Sequence, residues 1–356
     1  MRKLKLVFNW IKVNIFKSFV TATAIAIATI VITSGEGPLK IAFVGDVGTG
    51  EEGQYEVGKQ LLEYPYVFIP GDVIYDFGLT DANDPQFESK FAVPFKLKEH
   101  TGKFFIALGN HDYLGNPNAW KDLAIKHPGK IIHPNPYYMY RFGDGTNGGL
   151  CMVVLDTDPI ERGDEDYVDA QTEWLEGRLA EAKETCDMIG AVGHHPCLSS
   201  GEHGDANKSM RKFCENSIYG KFDFYVAGHD HNLEDAGKVQ GTHLFVSGAG
   251  AKLRDLAKKP PVWGVSELGI LDMEYTPAYK AAQFSFKVIK DGKLETAHTV
   301  VIKKGAVEGP PKPAPTVAPV PTVAPKPEPT SAPTGPTPAY WVPKPMTKFA
   351  ILSDKD

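Results

Sequence analysis

Residues 66–72, Tyr-Val-Phe-Ile-Pro-Gly-Asp, form an apolar run closed by a glycine and a carboxylate. The same design stands at 41–46 (Ile-Ala-Phe-Val-Gly-Asp), at 104–112 (Phe-Phe-Ile-Ala-Leu-Gly-Asn-His-Asp), at 188–195 (Met-Ile-Gly-Ala-Val-Gly-His-His) and at 224–231 (Phe-Tyr-Val-Ala-Gly-His-Asp-His). A short apolar stretch ending in Gly and a polar group reads as a buried strand that delivers chemistry to the carboxyl edge of an α/β sheet. One such turn is ordinarily a helix cap or a tight turn. Five in succession, all ending in oxygen or imidazole groups, point to a metal centre.

The donors narrow the metal. Asp46, Asp72, Tyr75, Asn110, His194, His229 and His231 offer hard oxygens and borderline nitrogens, with no Cys among them. That disfavours a structural zinc cage or an iron–sulfur cluster and suits iron, manganese or zinc. Seven donors exceed the needs of one tetrahedral ion. Two ions sharing one bridging carboxylate would use them all, and such pairs hydrolyse phosphate esters.

In this order the motifs Gly45-Asp46-Val47-Gly48, Gly71-Asp72-Val73-Ile74-Tyr75, Gly109-Asn110-His111-Asp112, Gly193-His194-His195-Pro196 and Gly228-His229-Asp230-His231 resemble the purple acid phosphatases. These belong to the calcineurin-like metallophosphoesterases, and the small tartrate-resistant type is the best fit. The resemblance covers roughly residues 38 to 250 and extends to Asp81-Ala82-Asn83-Asp84, Leu114-Gly115-Asn116 and Ser247-Gly248-Ala249-Gly250. It implies a four-layer α/β sandwich, two mixed β-sheets flanked by helices. It also implies a ferric site of Asp46, Asp72, Tyr75 and His231, and a divalent site (Fe, Zn or Mn) of Asp72, Asn110, His194 and His229. Tyr75 is the discriminating residue, because in that family the phenolate binds Fe(III) and produces the colour. His111 and His203 match the histidines that contact the phosphate and the leaving oxygen. His195 departs from the tyrosine of small family members, though register with Pro196 favours His194 as the ligand. The implied reaction is hydrolysis of phosphate monoesters, small or protein-borne, by metal-bound hydroxide under mildly acidic conditions, with histidine assistance to the leaving group. A phosphodiesterase or nucleotidase of the same superfamily and a non-catalytic surface scaffold are the alternatives.

A net charge of −6 and a pI near 6.0 exclude a general nucleic-acid binder held by phosphate contacts. Strands and helices form one α/β series over 38–303, the catalytic domain. Gln171 opens a helix to about Glu184 with Trp174, Leu175, Leu179 and Ala182 inward, and strands near 265–274, 280–290 and 294–303 close a sheet.

The ends differ from this core. Residues 1–37 carry Arg2, Lys3, Lys5, Lys12 and Lys17 ahead of the apolar run 19–32, the build of a signal peptide, with an uncleaved membrane anchor as the alternative. Either way the catalytic domain is expected outside the cytosol, secreted or anchored. Half of the 28 prolines fall between Pro310 and Pro345, so 304–339 reads as an extended Pro/Thr/Ala-rich linker or stalk. The last segment, 340–356, is a short tail that is disordered or docks a partner. Four cysteines in an exported domain suggest disulfides. Of the three pairings, Cys197–Cys214, bracketing His203, with Cys151–Cys186, at the starts of two apolar strands, is favoured over the others and over free thiols. Asn207-Lys208-Ser209 is a glycosylation sequon.

Overall fold

In the computed structural model, residues 37–143, 149–256 and 259–304 are described. The leader or anchor, the proline-rich stretch and the tail lie outside the described residues. In chain order the first strands are β1 (Leu39–Phe43), β2 (Tyr66–Pro70), β3 (Lys103–Ala107), β4 (Ile131–Ile132), β5 (Tyr138–Phe142), β6 (Leu150–Val154) and β7 (Met188–Val192). There follow β8 (Phe224–Ala227), β9 (Leu233–Val239), β10 (Thr242–Ser247), β11 (Trp263–Val265), β12 (Gly269–Thr276), β13 (Ala281–Lys290) and β14 (Lys293–Lys303). They make two seven-stranded sheets, ordered β14-β13-β12-β1-β2-β3-β4 and β11-β9-β10-β8-β7-β6-β5.

Both sheets are mixed in the same way. β1, β2, β3 and β4 run parallel, as do β6, β7, β8 and β10, and antiparallel strands finish each sheet. Alternation along the parallel strands explains the layers. Ile41 and Phe43 face inward with Phe68, Phe105 and Phe284, against Met152, Phe224, Val226 and Phe245 of the second sheet. Phe43 meets Phe224 across the interface with ring centroids 6.4 Å apart. The intervening residues Ala42 and Val44 face outward, onto Val57 of helix α1 (Glu52–Gln60) and onto Trp120 and Leu123 of a second helix. That helix spans Ala119–Lys126, following a short helix at Asn110–Leu114. On the far side Cys151 and Val153 pack with Leu175, Leu179 and Ala182 of the long helix Glu165–Thr185, and with Met210 and Phe213 of Lys208–Phe213. Helix, sheet, sheet and helix give the four layers expected. Buried on both faces, the parallel strands have no polar face to show, which is why they read as unbroken apolar runs.

Two local expectations are refined. The Glu165–Thr185 helix starts six residues before Gln171, because Asp164 caps it by accepting the Tyr167 N–H. The strand expected near 265–274 is β12, which begins at Gly269 and closes the first sheet with β13 and β14 as expected; the short β11 just before it pairs with β9 in the second sheet. Both disulfides form as favoured, Cys151–Cys186 and Cys197–Cys214, with Cα atoms 5.9 Å apart in each. Among the described residues no helix is long and apolar enough to cross a membrane.

Gly177 lies inside the long helix with open space where a Cβ would stand. Gly177→Ala should raise stability by roughly 0.5–1 kcal/mol, read as a shift of the urea midpoint without a change of slope. The Cys197–Cys214 bridge spans a sequence separation of 17 residues. Replacing both cysteines by serine should lower unfolding free energy by about 3 kcal/mol in the same assay.

Candidate metal centre

The carboxyl ends of the parallel strands of both sheets converge on one cleft. Asp46 follows β1, Asp72 and Tyr75 follow β2, and Asn110 and His111 follow β3; His194 follows β7, and His229 and His231 follow β8. Asp46, Asp72 and His229 adopt left-handed backbone conformations, with φ of 58°, 50° and 70°. Non-glycine residues visit this region uncommonly, and such strain gathers at functional sites.

The turns interlock because their glycines lack a side chain. A Cβ on Gly71 would collide with the His194 ring, and one on Gly109 with the Asp72 carboxylate. One on Gly228 would lie 2.5 Å from Asp46 Oδ2. Each Gly-ligand pair thus makes room for a ligand from a neighbouring strand end.

Two groups of donors result. The Tyr75 hydroxyl lies 3.0 Å from Asp46 Oδ1 and 3.0 Å from His231 Nε2, which is 3.6 Å from Asp46 Oδ1. His194 Nε2 lies 2.9 Å from Asn110 Oδ1, 3.2 Å from His229 Nδ1 and 3.5 Å from Asp72 Oδ2. Asp46, Asp72 and His194 present ligand atoms within 4.8 Å of one another, so Asp72 joins the two groups. Donors about 2.05 Å from a tetrahedral ion stand about 3.3 Å apart. The spacings here fit cations, and the set of carboxylates, phenol, amide oxygen and imidazoles is the right chemistry for them. His231 Nδ1 is moreover buried without a hydrogen-bond partner.

Electrostatics agree with this fit. Burial pushes the Asp46 carboxyl well up, and the Asp72 charge beside it adds to the rise. Burial, then Asp46 and Asp72, raise the Tyr75 phenol, so its hydroxyl donates to Asp46. Burial holds His194 and His229 below the ordinary imidazole value. His231 is pushed down to about 3 by burial first and Arg254 second. Neutral imidazole is the form that binds a cation, and a cation would relieve the carboxylate repulsion. His194 Nδ1–H donates to Pro70 O at 2.9 Å, which leaves Nε2 for the cleft.

The two adjacent histidines part company. His195 Nδ1 pairs with Thr157 Oγ1 at 2.9 Å, and its ring lies 4.7 Å from that of His229. With His194 and His229 it forms a second group at ligand distance, a proximity the sequence reading did not assign. His111 donates its backbone N–H to Asp72 Oδ1 at 2.9 Å and its Nδ1–H to Asp76 O at 2.6 Å; its Nε2 stands 3.9 Å from Asp72 Oδ2. His203 is exposed and stacks on His229 with centroids 4.2 Å apart. Arg254 was missed by the sequence reading. Its Nη1 lies 3.3 Å from His203 Nε2 and 3.3 Å from Glu202 Oε2. No motif marks it. Asp112, whose role no motif discloses, is a buried carboxylate that accepts the N–H groups of Val73, Ile74 and Gly109, fixing two ligand turns together.

Comparison with known proteins follows the same lines. A profile described as calcineurin-like phosphoesterase matches residues 39–233. Tartrate-resistant acid phosphatase type 5 of Rattus norvegicus is 32% identical over 210 residues, covering 54% of this chain and 62% of the rat protein. The chain therefore spans a little under two thirds of that relative's length. Purple acid phosphatase 7 of Arabidopsis thaliana is 26% identical over 243 residues, covering 61% of this chain and 71% of that one. Among solved structures, GAP50, described as the anchor in the inner membrane complex of Plasmodium, superimposes with a TM-score of 0.63 at 22% identity. The match covers 77% of this chain and 91% of that one, a likeness of fold.

The interlock can be tested at one atom. Gly109→Ala presses on both the carboxylate and the backbone nitrogen of Asp72 and should weaken metal binding about 10- to 100-fold, measured by titrating metal into the stripped protein once circular dichroism shows it folded. Unchanged affinity would remove Asp72 from the centre.

Proposed function

This chain belongs to the calcineurin-like phosphoesterase family, and from that premise we propose that it is an acid phosphatase acting on phosphate monoesters at a dinuclear Fe(III)–M(II) centre. The observation that carries the reading is the Tyr75 hydroxyl, 3.0 Å from both Asp46 Oδ1 and His231 Nε2. A phenol in that place suits a hard, highly charged ion. Asp46, Asp72, Tyr75 and His231 would hold the ferric ion, and Asp72, Asn110, His194 and His229 the divalent one. Bound cations would neutralise phosphoryl oxygens and acidify water at the site.

The remaining steps belong to the chain's own groups. His111, its Nδ1–H committed to Asp76 O, can in its imidazolium form donate Nε2–H to a phosphoryl oxygen. His203, exposed and stacked on His229, can hand a proton to the departing alkoxide. Asp72 is steadied by the His111 N–H, so substrate contact and ligand orientation share one hinge point. The two disulfides support residence outside a reducing compartment, in keeping with an exported catalytic domain. The scaffold reading gains support from the fold it shares with a protein described as an anchor. The complete donor set speaks against it.

A visible absorption spectrum with elemental metal analysis tests the proposal. Two ions per chain, at least one of them iron, with a purple to pink band are expected, and Tyr75→Phe should abolish the band while the circular dichroism stays unchanged. A colourless protein with two ions would move the assignment to a phosphodiesterase, to be checked by comparing monoester with diester turnover. Failure to take up iron at all would leave the scaffold.

A further inference from the structure

Asp230 stands between His229 and His231 in the Gly228–His231 turn, yet its carboxylate serves another loop. Oδ1 accepts the His203 N–H at 2.9 Å; Oδ2 accepts the Ser199 hydroxyl at 2.5 Å and the Gly204 N–H at 3.3 Å. The side chain is fully buried. A Cβ on Gly201 would lie 2.6 Å from Asp230 Oδ1, so the loop can wrap the carboxylate only because residue 201 is glycine. We propose that Asp230 is a positioning residue: it ties the 199–204 loop to the turn carrying His229 and His231, and so sets His203 against the leaving oxygen.

Neighbouring groups prepare the same tether. Glu234, in β9 just beyond the turn, accepts the Ser200 N–H at 2.9 Å and the Ser200 hydroxyl at 2.9 Å. Asp205 Oδ1 accepts the Ser199 N–H at 3.0 Å, and the Cys197–Cys214 bridge closes the base of the loop. The His203 ring is then set by its stack on His229 and by Arg254 at 3.3 Å. Of these contacts only Asp230 grips the backbone of His203 itself. A buried carboxylate with three donors also loses most of its capacity to bind an ion, which separates its role from that of the histidines on either side. Errors of about 1 Å in placing a reacting group can cost on the order of 100-fold in rate.

The inference rests on the reading of His203 as the proton source for the leaving group. Asp230→Asn, Gly201→Ala and His203→Ala are compared on monoesters running from p-nitrophenyl phosphate to an alkyl phosphate, with metal content and amide hydrogen exchange of residues 199–204 measured alongside. Asp230→Asn and Gly201→Ala should lower kcat on the alkyl ester about 10- to 100-fold, and by less than about threefold on the nitrophenyl ester, whose weakly basic nitrophenolate leaves without a proton. Combining Asp230→Asn with His203→Ala should add nothing to His203→Ala alone, exchange at 199–204 should quicken, and metal content should hold. A fall equal across the series, or a loss of metal, would show Asp230 to be a support for its flanking ligands and overturn the proposal. If His203→Ala is itself indifferent to leaving group, the proton-source reading fails separately. The exchange data then judge the tether: quickened exchange in Asp230→Asn upholds it, and unchanged exchange sinks it.

Discussion

Three side chains at the centre occupy space that would otherwise belong to a neighbour's Cβ: His194 over Gly71, Asp72 over Gly109 and Asp46 over Gly228. This close approach of side chain to bare backbone fixes how near the strand ends of the two sheets can come. It also dictates the backbone, since Asp46, Asp72 and His229 are held with φ between 50° and 70°. The sandwich behind them supplies the rigidity. Aromatic rings from both sheets fill the interface, so the turns cannot drift apart without opening the core.

Burial then does the chemical selection. Carboxylates and imidazoles gathered away from water disfavour their charged forms, and a cation is the partner that suits both. Two further carboxylates, Asp112 and Asp230, sit beside histidines but accept hydrogen bonds that join loops: Asp112 from Val73 and Ile74 as well as its own Gly109, Asp230 from Ser199, His203 and Gly204. The strand-end motifs thus carry two kinds of acid, and the hydrogen-bond partners tell them apart.

That distinction marks the limit of what the amino-acid sequence discloses. The parallel strands are legible because burial on both faces leaves no polar residue to blur the run, and the Gly-ligand endings give the site its address. Asp230 carries no sequence signal for its role, since its partners, the Ser199 hydroxyl and the His203 and Gly204 N–H groups, belong to a loop distant in the chain. Arg254 likewise stands among several cations of an irregular stretch, with Lys252 and Lys259 nearby, and only the fold singles it out by bringing it to His203. The start of the Glu165–Thr185 helix was readable in principle from Asp164 and the acids of its first turn, but that turn has little apolar periodicity to announce it. The division of 263–276 between two sheets depends on long-range pairing, which no local pattern encodes.

The division of labour between the sheets has a temporal side. Of the candidate ligands, Asp46, Asp72, Tyr75 and Asn110, which follow β1, β2 and β3 of the first sheet, offer oxygen; His194, His229 and His231, which follow β7 and β8 of the second, offer nitrogen. A ribosome delivers the oxygen half first and the nitrogen half much later. During synthesis the nascent chain therefore passes through an interval in which the carboxylates, phenol and amide of the centre exist without His194, His229 and His231, with His111 already beside them. Only when the second sheet docks do the imidazoles of His194, His229 and His231 arrive, so pairing of the two sheets is the step that assembles the donor set.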